Sequence, residues 1–137
     1  MARDKYHDLV KQALIAEGWT ITDDPLEVST LIAALEVDLG AEKIIVAEKG
    51  AEKIAVEIKS FLSKSWLHDF YKAVGQFGFY NLAIAAGEND RVLYLAMPDT
   101  AYNFLFKDPI AQELSKINNM RFIIFSIENQ NIKSWKK

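Results

Sequence analysis

The sequence has 137 residues and a mass of 15.5 kDa; 50% of its residues are hydrophobic and 26% charged, so we treat residues 1–137 as one folded domain. It holds no cysteine, which excludes a disulfide framework, a thiolate zinc site and a cysteine nucleophile. A formal charge of -3 and a pI near 5.4 exclude nucleic-acid binding by bulk electrostatics, so a nucleic-acid role must rest on a local site.

The first residues, Met1 to Lys5, are charged and lead into no apolar signal core. The longest apolar runs, such as Leu82 to Ala86, fall far short of the roughly 20 residues of a membrane-spanning helix. We therefore expect a cytoplasmic protein with no membrane partner.

Apolar residues recur at helical spacing from Tyr6 to Leu14, which predicts an amphipathic first helix that ends near Gly18. Residues 19–22 alternate as in a short strand, and a turn at residues 23–25 follows. Residues 26–35 carry no clear pattern.

Two apolar runs, residues 35–47 and 53–58, flank a polar link that contains a glycine and predict a β-hairpin. Because strand side chains alternate between two faces, Glu57 and Lys59 point the same way. The two faces of the second arm are then Ile54, Val56 and Ile58 on one side, and Ala55, Glu57 and Lys59 on the other.

The position of the hairpin tip sets the register of its two arms. With Gly50–Ala51 as a two-residue tip, Glu57 would pair with Ile44 and Lys59 with Glu42. In that register the chain leading back from the first arm approaches Asp38.

Ser65 predicts the N-cap of a long helix over residues 66–86, whose apolar residues wrap widely enough to predict burial on more than one side. Gly75 and Gly78 would weaken an isolated helix and therefore predict close backbone packing. Six of the eight phenylalanines are predicted to lie in the core, namely Phe77, Phe79, Phe104, Phe106, Phe122 and Phe125.

The last third of the chain predicts a strand, a helical region and two further extended segments, at residues 91–97, 98–117 with a break at 108–109, 122–127 and 131–135. The whole order predicts an α/β or α+β fold with a mixed central sheet that contains a β-hairpin and is flanked by helices.

Asp38 and Glu57 are the residues with the clearest chemistry. Two carboxylates on neighbouring strands can share Mg²⁺ or Mn²⁺, and the Ile58 carbonyl is a plausible further ligand. Lys59 reaches the same side of the sheet, where an ammonium positions a nucleophile or neutralises charge on phosphoryl oxygens. The group predicts metal-dependent phosphodiester hydrolysis.

The long helix carries a polar stripe of Asp69, Lys72, Gln76 and Tyr80 at three- and four-residue intervals. If this helix packs beside the hairpin, Gln76 and Tyr80 orient the metal ligands or contact a phosphate. The alternative is that both are partly buried polar groups whose hydrogen bonds go to the neighbouring backbone.

Asp38, the triplet Glu57–Ile58–Lys59, and Gln76 with Tyr80 resemble the motifs of the PD-(D/E)XK nuclease superfamily, although Val37 stands where a proline often precedes the first aspartate. Over nearly its whole length the sequence more closely resembles the fdxN-element excision controlling factor family of the XisH type. The resemblance lies in residues 3–7, 23–26, 37–42, 55–61, 75–77 and 91–96.

The resemblance implies a restriction-endonuclease-like fold and a role in the programmed DNA excision that rebuilds a nitrogen-fixation operon in cyanobacterial heterocysts, beside a recombinase and a companion excision factor. It implies a Mg-dependent endodeoxyribonuclease whose catalytic residues are Asp38, Glu57 and Lys59. His7, on the first helix, is implied as an auxiliary polar residue; the alternative is a surface histidine.

Few basic residues lie near this group, so we expect weak intrinsic DNA affinity, with partner proteins supplying the rest. They are Lys59, Lys64 and Lys72, with Lys133, Lys136 and Lys137 if the tail folds back. A rival hypothesis is a non-catalytic regulator that uses the same scaffold to dock a recombinase or companion factor. A third is a dimerisation module, a homodimer through exposed apolar residues of the 99–117 region.

Overall fold

The computed structural model describes residues 4–32, 34–44, 51–87 and 90–137. Within these residues the chain forms four helices and eight strands. In chain order they are α1 (His7–Ala16), β1 (Thr20–Asp23), β2 (Leu26–Ser29), β3 (Ala34–Val37), β4 (Leu39–Ile44), β5 (Ala51–Ile58), α2 (Trp66–Ala86), β6 (Val92–Pro98), α3 (Asp99–Leu105), α4 (Pro109–Ile117), β7 (Phe122–Ser126) and β8 (Asn131–Lys136).

Six strands form one mixed sheet in the order β1-β4-β5-β6-β7-β8, and β2 pairs with β3 in a separate two-stranded sheet. The β5, β6 and β7 strands are parallel, while the other neighbours are antiparallel. Parallel neighbours need a crossover, which α2 supplies between β5 and β6 and the pair α3–α4 between β6 and β7. The predicted mixed α+β architecture with flanking helices is confirmed.

The sheet has an apolar core on each face. Strand alternation puts Ala55 on the face that packs against α2, and Val56 and Ile58 on the face that packs against α1. The α1 side is filled by Val10 and Leu14. The predicted division of the second hairpin arm into two faces is confirmed. The same alternation places Glu57 and Lys59 on the face toward α2.

Two predicted helix starts are confirmed, and each coincides with a hydrogen bond that caps the helix. Ser65 caps α2, its hydroxyl accepting a bond from the His68 backbone N–H at 3.1 Å. The break in the second helical region is the start of α4, where the Asp108 carboxylate accepts a bond from the Ile110 N–H at 2.9 Å. None of the helices in the described part of the chain has both the length and the apolar character to cross a bilayer.

The predicted hairpin register is wrong. Leu39 pairs with Val56, and Ile44 pairs with Ala51, six residues before the predicted partner Glu57. Ala51 therefore lies within β5 and not at a turn, and the link at residues 45–50 lies outside the described residues. Ladder hydrogen bonds join backbone groups, so β5 extends through polar residues that the sequence pattern assigns to the turn.

Close backbone packing at Gly75 and Gly78, and burial on more than one side of the long helix, were predicted. Both predictions are wrong for one face of α2. A Cβ atom placed on Gly75 or Gly78 meets no atom of the described residues within 4 Å, so no close contact requires either glycine. Leu82 is 72% exposed, and Phe79 and Phe104 are exposed although both were predicted to lie in the core. One face of α2 is thus uncovered.

Candidate functional site

Asp38 lies at the bend between β3 and β4, where the chain passes from the small sheet to the large one. Its half-buried carboxylate accepts a hydrogen bond from the Ile58 backbone N–H, with 2.7 Å between Oδ2 and N. Since Leu39 pairs with Val56, this bond ties the first acid to the end of β5. Asp38, just before β4, and Glu57, on the neighbouring β5, therefore lie at the same end of the sheet.

Glu57 is an almost fully buried carboxyl group, with 7% of the residue exposed. Burial, and then the negative charge of Asp38, raise its pKa to about 8, although Lys59 acts in the opposite direction. Its Oε2 atom is buried and has no hydrogen-bond partner among the described residues. Near neutral pH the metal-free protein therefore keeps Glu57 largely protonated.

The pKa of Asp38 is also raised, by burial above all, and Asp4 raises it further. The hydrogen bond from Ile58 and the charges of His7 and Lys59 lower it without outweighing the burial. Two carboxyl groups with raised pKa values therefore lie at one strand end. The nearby positive charges and hydrogen bonds do not fully offset the burial of their negative charge.

Lys59 is the lysine that contacts Glu57. Its Nζ atom lies 3.9 Å from Glu57 Oε1, and its side chain is 27% exposed, so the ammonium contacts both the buried acid and solvent. Its backbone N–H donates to the Ala96 carbonyl at 2.9 Å and continues the β5–β6 ladder. The ladder holds Lys59 in strand geometry, on the same face as Glu57.

The direction of the Ile58 carbonyl follows from the neighbouring bonds. Lys59 N–H points to β6, whereas Ile58 N–H points to Asp38 on the opposite side of β5. Within a strand the N–H and C=O of one residue point to the same side. The Ile58 carbonyl therefore faces the side of Asp38, as a ligand of a shared cation would.

The residues fit a hard divalent cation. Among the described residues no three His, Cys, Asp or Glu side chains come together in a group that could hold a metal ion. Mg²⁺, however, commonly takes one or two carboxylates and completes its shell with water and substrate oxygens. The unpartnered Glu57 Oε2 and the raised pKa values of both acids are what a cation would correct. Asp38, Glu57 and the Ile58 carbonyl would hold it.

The polar stripe of α2 faces this site. The pKa of Tyr80 is raised by burial and then by the charges of Glu57 and Asp38, so its hydroxyl lies within electrostatic reach of both acids. Gln76 lies one turn earlier, and its buried Oε1 accepts no hydrogen bond from the described part of the chain. The alternative that Gln76 is satisfied by hydrogen bonds to the neighbouring backbone therefore does not account for its Oε1 atom.

Asp4 and Ser60 belong to the site, although sequence reasoning assigned neither a role. The Asp4 carboxylate accepts bonds from the Ser60 N–H at 3.1 Å, from the Ser60 hydroxyl and from the Tyr6 N–H at 3.0 Å. These bonds fasten the start of α1 to the chain just after β5, and the Asp4 charge raises the pKa of Glu57. The available signal was the resemblance over residues 3–7.

His7 is buried, with 4% of the residue exposed, so the alternative of a surface histidine is wrong. Its Nε2 lies 2.8 Å from Asp24 Oδ1, and Lys11 Nζ lies 2.7 Å from Asp24 Oδ2. Burial raises the pKa of Asp24, but the bonds and charges of Lys11 and His7 outweigh it and leave that pKa below its usual value. This trio fixes α1 beside the site.

A shallow depression of about 200 Å³ opens beside the site and is lined by Asp4, Lys59, Ser60, Phe61, Leu62, Asp69 and Lys72. Two of the predicted basic residues therefore border the opening. The tail lysines lie elsewhere, because β8 is the edge strand three positions from β5, and Lys133 pairs with Asp99 at 3.4 Å. The condition under which the tail lysines would join the basic residues near the site is therefore not met.

Comparison with known proteins gives consistent matches over almost the whole chain. The family model described as XisH protein matches residues 1–133. A crystal structure of an XisH family protein from Nostoc punctiforme PCC 73102 is 38% identical, with a TM-score of 0.87, and the match covers 98% of this chain and 100% of that one. A crystal structure of an fdxN element excision controlling factor protein from Anabaena variabilis is 39% identical, with a TM-score of 0.86 and the same coverage. No protein of curated function shows significant sequence similarity.

Proposed function

The chain belongs to the XisH family, and from this premise and the site geometry we propose that it controls DNA-element excision through a metal-dependent, PD-(D/E)XK-type endodeoxyribonuclease site. One observation carries the chemistry. Asp38 comes from a different part of the sequence than Glu57 and Lys59, and the three meet at one end of β5, with Ile58 N–H bonded to Asp38 and Lys59 Nζ 3.9 Å from Glu57.

The biological role rests on the relatives. The Anabaena variabilis protein is named an fdxN element excision controlling factor and is 39% identical over 98% of this chain. Similarity at this level over the whole fold supports the same type of role here. The proposed partners are DNA, a recombinase and a companion excision factor.

Each residue has a definite task in this proposal. A bound Mg²⁺ or Mn²⁺ supplies a water of lowered pKa and offsets charge on the phosphoryl oxygens. Asp38 and Glu57 provide the carboxylate ligands, and the Asp38–Ile58 bond holds the Ile58 carbonyl beside them. Lys59, partly exposed, places an ammonium against the scissile phosphate and stabilises negative charge as it develops there.

The residues around this group position it. Tyr80 and the Gln76 amide donate hydrogen bonds to a phosphate or to water in the site, from the face of α2 that lies toward the acids. His7, held by Asp24, keeps α1 in place and lowers the pKa of Asp38 by its charge when protonated. The substrate enters beside Lys72.

The test is cleavage of linear, flapped and branched DNA by purified protein with Mg²⁺ or Mn²⁺. We expect cleavage that falls about 100-fold or more in Glu57→Gln and in Lys59→Met, because each removes a charge that acts on the transition state. Lys116→Met is the matched control, since Lys116 is an exposed lysine of α4 that does not line the opening, and it should keep full activity. Cleavage that is equal in all three variants would refute the assignment.

A non-catalytic regulator is the second candidate, and the charge of the chain favours it. The net charge is -3, and Lys59 already contacts Glu57. In that case the scaffold docks a recombinase or companion factor, and Glu57→Gln leaves excision in cells intact while substitutions on the docking surface abolish it. Loss of excision in Glu57→Gln, with partner binding retained, would exclude this candidate.

A further inference from the structure

The outward face of α2 is apolar and uncovered. Its large side chains are Leu67, Tyr71, Phe79 and Leu82, which are 49%, 58%, 48% and 72% exposed. With 3.6 residues per turn these positions fall within an arc of about 120°, a continuous stripe along the helix. Gln76 and Tyr80 lie on the opposite side of α2, so this face, which we call the α2 outer face, is separate from the acidic site.

The α2 outer face has the composition of an interface and not of a solvated surface. From Ala73 to Ala86 the helix contains no charged residue, whereas a helix face in contact with water is normally rich in charge. The ionisable side chains of α2 other than its tyrosines are His68, Asp69 and Lys72, all in the N-terminal half. An exposed apolar patch of this extent marks a protein contact.

Two glycines lie on this face at the middle of the helix. Neither Gly75 nor Gly78 is needed for packing within the chain, because a Cβ atom at either position meets nothing within 4 Å among the described residues. Each costs helix stability relative to alanine. Both leave a flat surface on which a second helix can approach closely.

We propose that two copies of this chain associate through the α2 outer face, with the two helices antiparallel and crossing near Gly75. A two-fold axis there sets Leu67 and Tyr71 of one copy against Leu82 and Phe79 of the other, so the apolar pattern is complementary to itself. A parallel arrangement would instead bring the two Lys72 ammonium groups together. The antiparallel one moves each Lys72 toward the uncharged half of the opposite helix.

The exposed apolar area provides a large part of what a stable dimer buries. The four large side chains offer on the order of 400 Å² per copy, about half of the roughly 800 Å² that each partner buries in a standard interface. Phe104 of α3, 59% exposed, adjoins the start of α2, where a depression of about 310 Å³ between Trp66, Leu67 and Phe104 can receive a side chain. These residues extend the α2 outer face.

Single-cysteine variants test the geometry directly, because the chain contains no cysteine of its own. Gly75→Cys lies near the axis and should form a disulfide-linked dimer on mild oxidation, since a disulfide needs Cα atoms roughly 4.4–6.8 Å apart. Leu67→Cys and Leu82→Cys should each form no disulfide-linked dimer alone and should cross-link when mixed. Glu113→Cys, exposed on α4, is the control and should not cross-link.

Sedimentation of the unmodified chain provides the second measurement. We expect two 15.5 kDa chains per particle at micromolar concentration, and at least a tenfold weaker dimer in Leu82→Lys. Ile110→Lys, at a residue 75% exposed on α4, should leave the dimer unchanged, and unaltered far-ultraviolet circular dichroism would show that both variants fold. A monomer at 100 μM, self-cross-linking of Leu67→Cys, or equal effects of the two lysine variants would overturn the proposal. None of these outcomes bears on cleavage by the acidic site.

Discussion

At the scale of single residues, Glu57 joins the structure to the proposed chemistry. Period-two alternation is enough to predict that Glu57 and Lys59 share a face, and the distance of 3.9 Å between Lys59 Nζ and Glu57 Oε1 agrees with it. The pKa near 8 was beyond prediction from the sequence, because it depends on how deeply the carboxyl group is buried and on the proximity of Asp38.

The raised pKa of Glu57 predicts the pH dependence of stability in the metal-free protein. The folded state holds a proton that the unfolded chain releases near pH 4.5, so this contribution to stability is complete below that pH and is lost as the pH rises through about 8. We expect the free energy of unfolding to fall by a few kcal/mol between pH 5 and 8.5, and to fall much less in Glu57→Gln. Urea unfolding at several pH values measures it, and identical pH profiles for the two proteins would contradict it.

Other site contacts have no signature in the sequence. The Asp4–Ser60 and His7–Asp24 bonds join residues far apart in the chain, and alternation or helical spacing describes only neighbours. The local pattern places Asp4 among the polar residues of the first helix and Asp24 in a turn. Only the packing of α1 across the ends of β1 and β5 shows that they support the site.

At the scale of the elements, boundaries were predictable and register was not. Ser65 and Asp108–Pro109 mark helix starts by capping chemistry that acts within a few residues, and the structure has α2 and α4 begin there. The β4–β5 register depends on where the ladder ends, and backbone pairing continues through Ala51 and Glu52, which the sequence pattern places in the link. A local pattern does not contain that information.

Gly75→Ala tests the description of α2. Because a Cβ atom there meets nothing within 4 Å, alanine should raise the free energy of unfolding of the monomer by about 0.5–1 kcal/mol through helix propensity alone. Gly40→Ala is the contrasting control, since its Cβ would lie 3.0 Å from Asp23 Oδ2 and 3.3 Å from Arg91 Nη1, and it should destabilise the protein. Denaturant unfolding at low protein concentration measures both, and a loss of stability in Gly75→Ala would show a contact that the structure lacks.

At the scale of the whole molecule, the mixed sheet with flanking helices follows from the order of predicted elements. The strand order does not, because it places β8 at the edge, far from β5, and leaves the tail lysines distant from the acids. The exposure of one face of α2 could not be predicted from the sequence either. Apolar residues predict burial, but they do not show whether they are buried within the same chain or against a partner.

The sparse positive charge near the opening predicts weak, weakly salt-dependent DNA binding. With Lys59, Lys64 and Lys72 as the nearby cations, the logarithm of the DNA association constant should fall with the logarithm of salt concentration with a slope no steeper than about -3. Fluorescence anisotropy with labelled duplex, in Ca²⁺ to prevent cleavage, measures the slope. A slope near -6 would mean that a basic surface elsewhere binds the DNA.

The most direct test of the central claim is anomalous diffraction from crystals of the protein soaked in Mn²⁺. The account predicts one strong peak at the end of β5, within about 2.0–2.6 Å of carboxylate oxygens from both Asp38 and Glu57. The same peak should be absent from crystals of Glu57→Gln grown and soaked in the same way. A wild-type crystal that diffracts well and shows no Mn²⁺ between these two carboxylates would contradict the account.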